Sequence, residues 1–330
     1  MVDSNSVDIF GAVRLGYIVI GSRKLDEWKT FLAEGIGLHL AVESAHELAF
    51  RMDDHARRLI IQSDNAEDVT AIGWQLDNDA ILEVVLDRLA KNAVQVDIVE
   101  GQAAADRGVN ALHRFAGPKG LTLELFTRPI LDASPLQMHC GGFVTGDAGM
   151  GHLSFMSREP ERKAAFWREL FDARTSDRIE IAAGDRAVLD VTFLRMNQRH
   201  HSVAIAATRK FAVDMYRTRI QHLNLEVASL EDLSGAYERC SKLGYRFERG
   251  VGQHPNDREL SFYLATPSGF DLEIGWDALT VDEATWEAGR TYPNMSTWGH
   301  DIPGRFASEL KFSHLVHAAT SLRKTEYLPW

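Results

Sequence analysis

The segment Thr266-Pro267-Ser268-Gly269-Phe270-Asp271-Leu272-Glu273 decides the architecture, because it occurs twice. Its counterpart is Gly117-Pro118-Lys119-Gly120-Leu121-Thr122-Leu123-Glu124. Both read Pro-x-Gly-x-x-x-Glu, a turn that feeds a strand. Upstream, Leu15-Gly16-Tyr17-Ile18-Val19-Ile20 is matched by Met150-Gly151-His152-Leu153-Ser154-Phe155. Each is followed by a polar turn and a helix-like stretch in which Phe31 corresponds to Phe166. Matched start and end signals in the same order mark an internal duplication.

Each half divides again into a strand, a helix and several short strands. In the second half one unit begins at His152 and one near Ile220. Ser229 caps a helix with the apolar face Leu233, Ala236, Tyr237, Cys240 and Leu243, ended by Gly244. Residues 80–92 repeat that helix with Leu82, Val85, Leu86 and Leu89, and 161–171 form another that buries Ala165, Phe166, Leu170 and Phe171. The expected fold is α+β: four βαβββ modules forming two partly closed barrel-like domains, residues 1–135 and 136–330. The connection falls within 128–149, where Pro129, Pro135, Gly141, Gly142, Gly146 and Gly149 cluster. The segment after Trp276 lacks clear periodicity and reads as a tail wrapping the second domain.

A chain of 330 residues with 45% hydrophobic and 25% charged residues is that of a globular protein with room for two cores. No run of about 18 apolar residues predicts a membrane span, and Met1–Ser6 has neither the basic nor the apolar part of a secretory signal. Cys140 and Cys240 are isolated, which fits a reduced, cytoplasmic setting and excludes a cysteine-based metal cluster. A net charge of −11 argues against nucleic acid or an anionic membrane as partner.

Strand alternation assigns the chemically interesting residues to faces. His152 and Ser154 share one face; His222, Asn224 and Glu226 share another, and so do Asp271 and Glu273. In each strand the opposite side is apolar and suited to packing on helices. A single histidine on a strand's polar face is ordinarily a solvated surface residue. Here His152, His222 and Glu273 fall at repeat-equivalent strand positions, so three strands direct one ligand each into a shared concavity. Two imidazoles and one carboxylate make an open ferrous site that binds a substrate and dioxygen together. In the first half Tyr17 replaces His152, the His222 position falls near Trp74, and only Glu124 is retained. One metal is therefore expected, in the second half.

At Gly252-x-His254, Phe262-Tyr263, Thr266-Pro267-x-Gly269 and Glu273 the chain resembles the extradiol ring-cleaving dioxygenases of the vicinal oxygen chelate superfamily, in particular the two-domain enzymes acting on 2,3-dihydroxybiphenyl and similar catechols. Asn197-Gln-Arg199-His200-His201, Gln221-His222-Leu-Asn-Leu-Glu226 and Trp298-Gly299-His300 carry the same likeness, which covers nearly the whole chain. The resemblance implies Fe(II) held by His152, His222 and Glu273, with Mn(II) using the same ligands in some relatives. It implies His201 near dioxygen, where it hydrogen-bonds and moves a proton, and His254 and Tyr263 on the substrate oxygens. Phe193 is implied as a pocket wall and Asn256 and Asp257 as supports of the His254 loop; with Ser154 these are the expected substrate-binding residues. Three departures touch the pocket: Pro255, the turn Ser157-Arg158-Glu159-Pro160, and Ser154 at a position commonly hydrophobic. The implied activity is meta cleavage of a substituted or bicyclic catechol with incorporation of both atoms of O2, in aromatic degradation, by a homo-oligomer. Two alternatives share the fold: another metal-dependent enzyme of the superfamily (isomerase, epimerase or thiol transferase) and a metal-free ligand-binding protein. The set His201, His254 and Tyr263 inside one half weighs against the first, and the intact ligand trio against the second.

Overall fold

The computed structural model describes residues 7–183, 187–209, 212–302, 307–323 and 325–330; residues 1–6, read above for a leader, lie outside it. The first half contributes β1 (Val13–Gly21), α1 (Leu25–Lys29), β2 (His39–Glu43), β3 (Glu47–Arg51), β4 (Leu59–Gln62), β5 (Asp68–Leu76), α2 (Asp79–Lys91), β6 (Asp97–Glu100), α3 (Gln102–Ala105), β7 (Ala111–Ala116) and β8 (Thr122–Phe126). The second contributes β9 (His152–Met156), α4 (Pro160–Phe171), β10 (Arg174–Ala183), β11 (Ala187–Arg195), β12 (Val203–Arg209), β13 (His222–Glu226), α5 (Leu230–Lys242), β14 (Phe247–Gln253), β15 (Leu260–Ala265) and β16 (Asp271–Trp276). Four βαβββ modules follow one another, as the repeats predict. A π-helical stretch, Thr30–Ile36, extends α1, and β17 (Arg290–Tyr292), β18 (Trp298–Gly299) and α6 (Ala307–Ser321) complete the chain.

The modules form two open, curved sheets, ordered β2-β3-β4-β1-β5-β8-β7-β6 and β17-β10-β11-β12-β9-β13-β16-β15-β14-β18. In each, the opening strands of its two modules lie side by side and antiparallel, β1 on β5 and β9 on β13. The helices carry the apolar faces of both sheets into one continuous cluster. Trp74 of the first half meets Trp167 of the second at 5.4 Å between ring centroids, and Trp28 meets Phe270 at 5.9 Å. Polar contacts cross the same seam: the Trp28 indole N–H donates to Ser268 Oγ at 3.2 Å, and the Arg219 backbone N–H to Asp68.

Helix boundaries follow local chemistry. Asn78 and Ser229 accept hydrogen bonds from the backbone N–H groups of Ile81 and Asp232, capping α2 and α5 as such side chains do. Two details differ from the periodic reading. Tyr237 and Leu243 are 37% and 43% exposed, because the buried stripe of α5 is the narrower Leu233, Ala236 and Cys240. In α4, Ala165 is only half-buried, whereas Lys163, Ala164 and Trp167 are buried. A lysine inside an apolar stripe is hidden from pattern reading; Glu326, far away in sequence, makes it tolerable by pairing with Lys163 Nζ at 2.6 Å. The tail contains α6, a 15-residue helix that periodicity did not reveal, and its later turns lie over the concave face of the second sheet.

Candidate active site

Three neighbouring strands, β9, β13 and β16, carry the ligand candidates. Register sets Asn224 opposite both His152 and Glu273, and His222 opposite Ser154 and Asp271. His152, His222 and Glu273 therefore project from the same face. Gly151 makes this approach feasible: its φ is +150°, and a Cβ there would lie 1.9 Å from the Asn224 carbonyl oxygen.

His152 Nε2 lies 3.2 Å from His222 Nε2, and each is 3.3 Å from Glu273 Oε2. All three residues are buried. Atoms about 2.1 Å from one cation and mutually at right angles stand about 3 Å apart, so this spacing fits a facial two-histidine, one-carboxylate site. Three electron-pair donors converge with few protons among them, and His222 Nδ1 and Glu273 Oε1 have no hydrogen-bond partner. Burial pushes His222 down to about 3, leaving a neutral imidazole. Burial alone would raise the Glu273 carboxyl, but His152, His254 and His222 hold it well below the usual carboxylate range.

His201 packs its ring against His152, centroids 3.9 Å apart, and Phe193 meets it edge-on at 4.8 Å. Behind it, His200 Nδ1 stands 3.1 Å from His201 Nδ1, and His200 Nε2 stands 2.9 Å from Asp177 Oδ2. The buried Asp177 carboxylate accepts the His200 Nε2–H. For a neutral His200, Nδ1 is then an acceptor, so His201 donates from its own Nδ1 and keeps a lone pair on Nε2. Burial, reinforced by His152 and His200, holds His201 well below its ordinary value, favouring that neutral form. Sequence reading saw His200 only as a neighbour of His201. Asp177 carried no motif at all; the fold brings it there from β10.

On the other side, His254 Nδ1 stands 2.7 Å from the Met295 carbonyl oxygen, which can only accept. His254 Nε2 faces the Tyr263 hydroxyl at 2.8 Å and Glu273 Oε1 at 3.4 Å. Burial works against the charged ring, yet Glu273, Asp257 and the Met295 carbonyl raise His254 above its usual value. Burial and Glu273 push Tyr263 well above the phenol range, so it stays a hydroxyl. His300, 4.4 Å from His254 between ring centroids, lies over that pair and contacts Ser296 Oγ at 2.8 Å. Asp257 braces its loop by accepting from the Glu259 backbone N–H at 3.1 Å, and Asn256 Nδ2 reaches Asp177 Oδ1 at 3.5 Å. Ser154 donates to Gln221 Oε1 at 2.8 Å. The candidates His152, Ser154, Phe193, His201, His222, His254, Asn256, Asp257, Tyr263 and Glu273 all line one cavity of ≈ 610 Å³.

The first half shows the same frame with different contents. Gly73 pairs with Tyr17 and Glu124 as Asn224 pairs with His152 and Glu273. The His222 position is thus Ala71, three residues from the Trp74 expected above; irregular pairing between β1 and β5 obscures the offset in sequence. The Tyr17 hydroxyl donates to Glu124 Oε2 at 2.7 Å, and Arg107 and Arg114 pair with the same buried carboxylate at 3.1 and 2.8 Å.

Comparison with known proteins establishes the family. Residues 149–274 match the Glyoxalase/Bleomycin resistance protein/Dioxygenase superfamily, and residues 15–63 match Dihydroxybiphenyl dioxygenase BphC D1. The biphenyl-2,3-diol 1,2-dioxygenase of Metapseudomonas furukawaii is 34% identical over 87% of this chain and 92% of its own. An iron-dependent extradiol dioxygenase of Rhodococcus jostii (strain RHA1) is 31% identical over 87% of this chain and 96% of its own. A crystal structure of catechol 2,3-dioxygenase superposes with a TM-score of 0.80 at 27% identity, covering 89% of this chain and 96% of that one. The chain belongs to the extradiol catechol dioxygenases of the vicinal oxygen chelate superfamily.

Proposed function

We propose that the chain is a ferrous enzyme that opens the ring of a substituted or bicyclic catechol at the bond beside its two hydroxyls and adds both atoms of O2. The observation that carries this reading is the convergence of His152, His222 and Glu273, 3.2–3.3 Å apart, at the floor of a cavity large enough for an aromatic substrate. These three residues would hold the iron, with Mn(II) as the alternative occupant of the same donor set. Held there, a ferrous ion would supply the one-electron chemistry that lets dioxygen react with a catecholate, which closed-shell organic groups cannot do readily.

The remaining residues do proton and positioning work. His254 and Tyr263 form a hydrogen-bonding edge beside Glu273 that orients one catechol oxygen. His201, with the lone pair of Nε2 available and Nδ1 anchored through His200 to Asp177, takes up and returns a proton on the opposite side. Phe193 keeps water from His201 and forms a flat wall for a ring. Asn256 and Asp257 hold the loop that carries His254. The cytoplasmic setting inferred from the two free cysteines, Cys140 and Cys240, belongs to the same proposal. So does assembly into a homo-oligomer.

The test is anaerobic reconstitution with ferrous iron, then aerobic addition of 2,3-dihydroxybiphenyl or 3-methylcatechol. Oxygen uptake with a rising visible absorbance, and both atoms of 18O2 in the product, are the expected results. Stoichiometric iron without oxygen uptake on either catechol would overturn the reaction assigned here.

A further inference from the structure

We infer that the substrate is a catechol whose substituent ends in a carboxylate, and that Arg249 recognises it. The inference rests on the extradiol reading above and names the substrate class for that site.

The cavity has two unlike walls. On the β11–β12 side of the ligand trio it is apolar, built from Leu189, Val191, Phe193, Ala204 and Ala206. On the β14–β16 side, and along the segment before His222, it is lined by Arg217, Gln221, Arg246, Glu248, Arg249 and Asp271. Register ties this charged wall to the chemistry: Glu273 pairs with Tyr263, and Tyr263 with Arg249, so Arg249 continues the same rung outward.

Arg249 is half-buried. Among the described residues no carboxylate stands within ion-pair distance of its guanidinium and no acceptor is hydrogen-bonded to that group. Its neighbour Arg246 is paired with Glu248. Arg217 is held by the backbone carbonyls of Glu67 and Ser268, which orient its guanidinium but do not cancel its charge. The wall carries three guanidiniums against two carboxylates, in a chain of net charge −11 with 47 acidic residues. Carboxylates are abundant elsewhere in this protein, yet among the described residues none is ion-paired with Arg249. A half-buried guanidinium without an ion-pair partner is costly, and its planar fork matches a carboxylate in a bidentate pair. The ligand itself is the group that satisfies it: the ring sits between the apolar wall and the ligand trio, and the acid end of its side chain reaches Arg249.

The experiment uses full-length, iron-loaded protein and two probes that differ only in charge, 3-(2,3-dihydroxyphenyl)propionate and its methyl ester. Binding is read by anaerobic calorimetry and turnover by oxygen uptake. We expect the acid to be favoured over the ester by about ten-fold or more in affinity and in kcat/KM, with the preference shrinking as salt is added. Arg249→Met should remove that preference, chiefly through KM, and Arg249→Gln should retain part of it. An ester bound as well as the acid by the unaltered protein, or equal losses for both probes in Arg249→Met, would overturn the inference. Cleavage of both probes without discrimination defeats this inference alone. Discriminating binding without any oxygen uptake defeats the extradiol reading and leaves the carboxylate site standing.

Discussion

Glu273 brings the only negative charge to the trio, and its carboxyl is kept ionised by the imidazoles around it. Glu273→Ala should therefore lower bound iron at least ten-fold, measured by elemental analysis after gel filtration; retained stoichiometric iron would refute its place as a ligand. His201 lies against His152 without sharing the ligand cluster. His201→Phe should keep the iron while turnover falls by about 10²–10⁴, the usual worth of a positioned proton carrier. Full activity in that variant would remove the proton role. At this scale the sequence was informative where strand alternation applied. His152, Ser154, His222, Asp271 and Glu273 all face the cavity, as period-two reading requires. It was silent where a residue acts through a neighbour from another element. Asp177 behind His200 and the uncompensated Arg249 have no local signature.

Among the elements, α4 and the chain end are coupled through one ion pair. Lys163 is buried in α4, and Glu326 reaches it from the tail while also accepting from Ser157 Oγ at 2.7 Å and the Arg158 backbone N–H at 2.8 Å. Burial outweighs the Glu326 charge at Lys163 and pushes it down to about 8. The Lys163 charge, followed by the hydrogen bonds from Lys163, the Arg158 backbone N–H and Ser157, keeps Glu326 lowered despite its own burial. Between pH about 8 and the ordinary lysine value of 10.5, the unfolded chain holds a proton that the native chain has shed. The native state should thus gain stability as pH rises through that window. Lys163→Met should lack this increment, which denaturation midpoints at pH 8 and pH 10 will show. A variant with the same pH response as the parent would contradict it. The helices at 79–91, 160–171 and 230–242 were legible from caps and spacing. Helix α6 was not, because it presents no continuous apolar stripe; the stretch around Phe31 reads as helix-like, but its π-helical winding has no signature in the spacing.

Across the whole molecule, duplication has produced two frames with one metal centre expected between them. In the first half, Tyr17, Arg107 and Arg114 occupy the carboxylate that corresponds to Glu273. We expect one iron per chain. Tyr17→Phe should leave that stoichiometry unchanged and lower stability by about 1 kcal/mol, the loss of one hydrogen bond to a buried acid. Two irons per chain would show that Glu124 remains a ligand. What the sequence by itself determined was local and repetitive: four βαβββ modules, the polar faces of their strands, and the family to which the motifs belong. Those follow from side-chain alternation and turn chemistry, which act over a few residues. Only the tertiary structure decided which strands stand side by side, that Ala71 takes the His222 position, that His314 and His317 of α6 line the cavity, and that Arg249 reaches it without an ion-pair partner among the described residues. Those outcomes depend on register and on contacts between residues tens to more than a hundred positions apart, where no local periodicity reports on the partner.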